Sequence, residues 1–511
     1  MKTFKLSSLL TMISWTFVFA VIYAQSPLYT SNQNQYFIHG LANAGYGYLR
    51  QDWLANTLDP TPVFSLLVKW SYTLLRSEIV TYAFYALLLG IYLWSILGIA
   101  GEIFHLRRSR TRMIVFLAAF LLGHSAAWRY LLSTTAGTDW TYVLEGGVAG
   151  QRLLGSVFEP SVFGVFLVLS IYLFLRGRVF LAILAMAGAV WFHPTYLLPA
   201  AMITLGYMCL LYRDGARWRM PLTMGFSALA LVSPVLVYVY ASFGASSLEN
   251  AARARQILVE FRIPHHALMS HWLNPSVLAQ VMIVSAALLV LQRTKLFPIL
   301  LVAASLALIL TLVQVVSKSD ALALLFPWRI SVVLVPLSTS MLIAFLVSRL
   351  FERVEPLPSA TQSAILIAST AGVLILMLAG ATRFRLDLAR KGSDPESAMM
   401  RYVSAHKQSG QVYLIPTKMQ EFRLETGAPA YIDFKSIPYA QGEVLEWYRR
   451  VRLANRLYRE KKKKACEMLA SFFGEGVTHV VLEDGSRAGN CENLKQDYKD
   501  ESYAVYALQA P

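Results

Sequence analysis

Long apolar runs, most of them closed by a short basic cluster, recur along the first three quarters of the chain. The first, residues 6–24 (LSSLLTMISWTFVFAVIYA), follows Lys2 and Lys5 and ends in Ile22-Tyr23-Ala24, a poor small-x-small cleavage site. It is therefore expected to stay as a helix with a cytoplasmic N-terminus. Similar runs lie at 79–104, 113–132, 161–175, 179–193, 195–212, 221–240, 277–291, 296–316, 328–348 and 362–381, which predicts about eleven membrane spans. The cluster Arg107, Arg108, Arg110, Arg112 and the turns 176–178 (RGR), 213–219 (RDGARWR), 292–295 (QRTK) and 348–353 (SRLFER) then share one side. Basic turns mark the cytoplasmic face, so an odd count of spans puts the C-terminus outside. The run 63–75 (VFSLLVKWSYTLL) is too short to span, carries Lys69 and would reverse that agreement. It is expected to lie on the membrane surface.

Two regions depart from this pattern. The first outer loop, 25–78, contains NQNQYFIHGLANAGYGYLRQDWLANTLDPTPVF (32–64), rich in amides, aromatics and glycines and carrying Asp52 and Asp59. Asp59 opens a DPTP turn, where Pro60 and Pro62 forbid a continuing helix. From Asp387 onward the pattern is that of a soluble domain. Helices are expected at 394–408, 441–464 and 465–473, with strands at 411–416, 430–434, 478–483 and 503–508 forming an α/β sandwich. The predicted fold is an α-helical polytopic membrane protein with a C-terminal α/β soluble domain. The transmembrane bundle covers 1–386 and the extracytoplasmic domain 387–511.

Composition narrows the class further. A 511-residue chain that is 56% hydrophobic and 15% charged, with mean hydropathy +0.49, is a membrane protein. Its net charge of +16 resides mostly in the basic turns, which the topology requires, so nucleic-acid binding is excluded. Of three cysteines, Cys209 lies in an apolar span, while Cys466 and Cys491 both lie in the outer domain. Those two either pair in an oxidising compartment or stay as buried thiols.

The candidate chemistry sits at one face. Ionisable residues are scarce at mid-depth of the spans, which disfavours an ion-coupled transporter. The lone His124 is read as a packing residue. Asp52, Asp59, Arg129, Asp139, Glu145, Gln151, Arg152, Glu159, His193, Lys318, Asp320 and Arg329 crowd the outer ends instead. So do Arg253, Arg255, Arg262, His265, His266 and His271. The three late histidines do not share a helix face, and the first loop has no DxD pair, so no metal site is assigned. A divalent cation is compatible with the acids but unsupported by any such pair. Guanidinium groups at a headgroup boundary suit phosphate, which selects Arg253, Arg255 and Arg262, and equally suit snorkelling to the lipid headgroups. Trp53, Trp140 and Trp272 suit anchoring at the membrane interface, and Trp53, Asp59 and His193 complete the candidate substrate-binding set.

This order of features resembles the GT-C class of integral-membrane glycosyltransferases: one helix, a long outer loop with an acid, a multi-span bundle, and an outer α/β domain. Residues 32–64 and FRLETGAPAYIDFKSIPY…EVLEWYRR (422–450) further resemble a group of bacterial multi-pass proteins. The resemblance implies a polyprenyl-phosphate sugar donor, membrane-lipid partners and transfer of the sugar to an acceptor at the outer face of a bacterial inner membrane. It also implies an acid in the first outer loop as catalytic base, which maps to Asp52. The alternative, from another class, is a non-catalytic membrane protein such as a lipid or polysaccharide flippase or an assembly factor.

Overall fold

The computed structural model describes residues 6–244, 247–460 and 462–509, which form two compact units. The first runs through Gln25, then Tyr82–Tyr238 and Leu258–Arg385. The second collects Ser26–Thr81, Val239–Ile257 and the chain from Leu386 onward.

The first unit is a helical bundle. Among the described residues six helices are long and apolar enough to cross a membrane: Val80–Phe104, Pro194–Arg213, Arg219–Phe243, Leu296–Ser317, Asp320–Val354 and Ser359–Ser393. A seventh span results if Arg110–Gly123 and Ala126–Thr135 count as one. That pair was expected as a single run, but Ser125 accepts the Trp128 N–H (3.0 Å) and starts a new helix bent by 49°. Three expected spans appear as shorter apolar helices, Pro160–Leu175, Val179–Phe192 and Pro275–Leu291, and the expected first span is the helix Leu6–Tyr23, which starts where the described residues begin. Among the described residues, length and composition alone thus support six or seven of the about eleven expected crossings. Pro160 and Pro275 start two of these helices, and the tight turn around Gly177 separates Pro160–Leu175 from Val179–Phe192.

Packing ranks the helices by depth. Ser331–Val354 lies at the centre, with most of its length buried, against Pro275–Leu291 and Arg110–Gly123. Leu197–Arg213 packs on Leu296–Ser317, where a Cβ on Gly206 would come within 2.8 Å of the Ile299 Cα. Such backbone approach needs a glycine. His124 is satisfied, as expected of a packing residue: its Nδ1 bonds the Phe120 carbonyl (2.9 Å) and its Nε2 the Tyr92 hydroxyl (3.1 Å).

In the second unit, four strands, β1 Tyr413–Leu414, β2 His479–Glu483, β3 Leu494–Lys499 and β4 Tyr503–Leu508, form a sheet in the order β1-β2-β4-β3. β1 pairs parallel to β2; the other two pairings are antiparallel. Met399, Val403, Ile415, Phe422, Val481 and Val505 build the core beside it. The sequence pattern missed β3, because LKQDYK is an exposed edge strand with little apolar alternation. The strand expected at 430–434 is reduced to one bridge, Tyr413 to Ala430, because its backbone is recruited elsewhere. Cys466 and Cys491 are joined, with Cα atoms 5.5 Å apart. The helix Pro62–Leu75 buries Phe64, Ser65, Val68 and Ser71 and exposes Leu66, Trp70, Leu74 and Leu75, the amphipathic face expected of a surface helix.

Candidate functional site

Within the second unit, the two stretches singled out above, 32–64 and 422–450, bind one another. Gln35 makes a reciprocal pair with Ile437: its Nε2 donates to the Ile437 carbonyl (2.8 Å) and its Oε1 accepts the Ile437 N–H (2.6 Å). The Tyr48 N–H donates to the Gly427 carbonyl (2.8 Å), and Gly47 touches Gly427 so closely that a Cβ would fall 2.3 Å from that oxygen.

Asp52 lies at the centre of this interface. Its Oδ1 accepts the N–H groups of Leu54 (2.8 Å) and Ala55 (3.3 Å), and its Oδ2 accepts Arg423 Nε (2.6 Å) and the Ala430 N–H (2.8 Å). Arg423 also donates to Asp433 and to the Ala430 carbonyl (2.9 Å), and Asp433 in turn accepts the Ser436 N–H (2.6 Å). All three side chains are buried. Burial works against the Arg423 charge, but Asp52 and Asp433 together raise its pKa above the ordinary value. Burial likewise pushes the Asp433 carboxyl up, opposed by Arg423 and Ser436. A general base needs an open lone pair and a route for the acceptor. Asp52 was expected in that role, yet its oxygens hold four donors and it has no exposed surface. In this arrangement it is a clamp. It also accounts for the missing strand, since both backbone groups of Ala430 are drawn to the charges.

The other candidates of this unit are peripheral to the clamp. Asp59 Oδ1 accepts the Thr61 N–H (2.8 Å), closing the expected DPTP turn. Trp53 is half-buried under the Arg450 guanidinium, 4.5 Å from its ring, and Tyr431 lies 4.8 Å from the same group. Arg253 is exposed on the helix Leu248–Gln256 and donates to Gln256 (2.8 Å); Arg255 is half-buried on the same helix. The helical stretch expected through Arg262 changes at Ile257 to a wider π-helical turn, Ile257–Arg262. Local widening of this kind is common at functional sites.

The first unit holds Arg262 and His193, and they belong to a polar cluster at the helix ends opposite the basic turns. Arg329 stacks over the Tyr196 ring (5.1 Å), and Tyr196 donates to the Ser161 carbonyl. Ser161 donates to Glu159 Oε1 (2.6 Å). Arg329 lies within electrostatic reach of both His193 and His266, and Arg262 of His266. The loop 146–152 joins the cluster: the Ala149 carbonyl accepts His266 Nδ1 (2.5 Å), and the Val148 N–H donates to Ser331 (2.9 Å). Alongside, Arg129 donates to Glu145 (3.0 Å) and to the Tyr23 carbonyl, and Arg152 lies 4.1 Å over the Tyr142 ring.

The electrostatics set apart the roles of these groups. Burial pushes the Glu145 carboxyl up to about 7, against the pull of Arg129 and Arg152. Burial, His265, Arg329 and Arg262 push the His266 imidazole down to about 3, so it serves as a neutral hydrogen-bonding group. Buried polar groups normally find partners. Here Glu145 Oε2, Gln151 Oε1, Glu159 Oε2, Arg329 Nε and the indole nitrogens of Trp272 and Trp328 have none in the protein. Arginines, two carboxylates with an open oxygen each, and indole donors together suit a ligand that carries both a phosphate and hydroxyl groups. Among the described residues no three His, Cys, Asp or Glu side chains are placed to hold a metal ion. In the sequence Arg152, Glu159, Glu145 and Arg329 stand out only as polar residues of the outer ends. Glu145 and Arg152 bound the Gly-rich EGGVAGQR, Arg329 closes the turn FPWR and Glu159 precedes Pro160, and these chain reversals are the signal that marks them.

Residues 394–454, which include the Arg423–Asp433 half of the clamp, match the family described as "Domain of unknown function (DUF6798)". No curated protein matches the chain. Among solved structures it is similar to ArnT from Cupriavidus metallidurans bound to undecaprenyl phosphate, with TM-score 0.48 and 13% identity over 99% of this chain and 100% of that one. The apo state of the same protein gives TM-score 0.44 and 13% identity, over 99% of each chain.

Proposed function

We propose that this membrane protein is a glycosyltransferase of the GT-C class, which takes a sugar from a polyprenyl-phosphate-linked donor at the outer face of a bacterial inner membrane. One observation carries the reading: buried donors and acceptors without protein partners concentrate among the arginines at the end of the apolar bundle. Arg152, Arg262 and Arg329 hold the lipid phosphate and stabilise the negative charge that grows on it as the sugar leaves. Glu159, whose Oε2 has no protein partner, takes the proton of the acceptor hydroxyl as it attacks the anomeric carbon. Asp52 is the clamp of the second unit in this scheme, and Arg253 and Arg255 face the lipid headgroups.

The test is purified protein in lipid, offered a panel of polyprenyl-phosphate sugars and followed for release of polyprenyl phosphate. Glu159→Gln should slow turnover about 10²–10⁴-fold in a folded protein. Arg329→Met should weaken donor binding. Lipid movement across the bilayer without sugar release would favour the flippase reading instead.

A further inference from the structure

Next to the arginine cluster, two indoles meet. Trp272 and Trp328 have ring centroids 5.1 Å apart at 44°, are 7% and 3% exposed, and pack with Val148, Ala149, Met269 and Phe326. Neither indole N–H has a protein partner. A buried tryptophan usually finds one, and an all-carbon aromatic side chain would leave no donor unsatisfied. The backbone around the pair is also strained. Ala149 (φ +59°) and Phe326 (φ +48°) both adopt the left-handed conformation that residues with a Cβ avoid, one on each segment of the cluster. The Phe326 turn presents Trp328 and Arg329 in succession, so the indole pair directly adjoins the cation assigned to phosphate.

From these features we infer that Trp272 and Trp328 form a carbohydrate subsite. The aromatic faces take the C–H side of a hexose ring, and the two indole N–H groups donate to its hydroxyls. This assignment rests on the lipid-phosphate reading above. It adds that the protein recognises the sugar itself, through donors that a bare lipid phosphate does not reach.

Two probes separate the two claims: polyprenyl phosphate without a sugar, and polyprenyl-phosphate hexoses (glucose, galactose and mannose forms), each titrated against purified protein in detergent. Trp328→Phe and Trp272→Phe keep a ring and remove the N–H. Each should leave binding of the bare lipid within about twofold and weaken at least one hexose lipid about five- to tenfold, the worth of one neutral hydrogen bond. A melting curve of each variant confirms that it is folded. Equal loss for both probes, or no loss for either, would overturn the subsite and show the indoles to be packing groups. If the unaltered protein binds neither probe, the lipid-phosphate reading fails and the subsite with it. Bare-lipid binding that survives while the hexose lipids show no response to either variant removes the subsite alone.

Discussion

At the residue scale, placement rather than type decided what each acid does. Asp52 and Glu145 are both buried carboxylates beside an arginine, but Asp52 is saturated with donors while Glu145 keeps one oxygen without a protein partner. Asp52→Asn leaves Arg423 with a single buried counter-charge, so it should cost about 3–5 kcal/mol and lower the melting temperature in detergent. An unchanged melting temperature with lost transfer activity would restore Asp52 as the base. For Glu145 the sign runs the other way from a usual surface acid. Its folded pKa of about 7 lies above the ordinary 4.5, so the folded state keeps a proton that the unfolded chain releases. This group's contribution is most favourable below pH 4.5, is lost as pH rises to about 7, and is constant above. Comparing melting temperature against pH for the unaltered protein and Glu145→Gln should show that the variant lacks this decline. Parallel curves would mean that Glu145 does not titrate in that window.

At the scale of elements, a covalent bridge closes part of the second unit beside its sheet. The helix Lys462–Gly474 carries Cys466, and its bridge to Cys491 closes a loop with a sequence separation of 25. The chain-entropy model puts such a closure at about 3 kcal/mol. Alkylation of denatured, unreduced protein should label one thiol, that of the exposed Cys209, and all three after reduction. Three labelled thiols without reductant would rule the bridge out. The helix Pro62–Leu75 and the edge strand β3 show opposite cases of legibility. The first was readable because its run is too short for a bilayer, carries Lys69 and as a span would have reversed the sidedness of the basic turns. β3 was not, because an edge strand exposes both faces and needs no apolar period.

At the scale of the whole molecule, the basic turns still predict orientation. Reporter fusions after Arg178 and Arg217 should give a cytoplasmic signal, and a fusion after Gly392 an outer one. A cytoplasmic signal after Gly392 would shift the count of spans by one and remove the outer-face placement of the polar cluster.

The amino-acid sequence by itself determined that this is a membrane protein with helices between basic turns and a mixed α/β C-terminal region. Hydropathy and periodicity are local properties, and a bilayer or a core responds to them directly. It also marked the two stretches that matter to the second unit, and the arginines and acids at the helix ends. What it left open was partnership. Asp52 and Arg423 are 371 residues apart, and Arg329 and Tyr196 come from different helices, so no local pattern relates them. Whether a carboxylate is a base or a clamp depends on which donors reach its oxygens and on whether solvent does. Both are set only when distant segments pack.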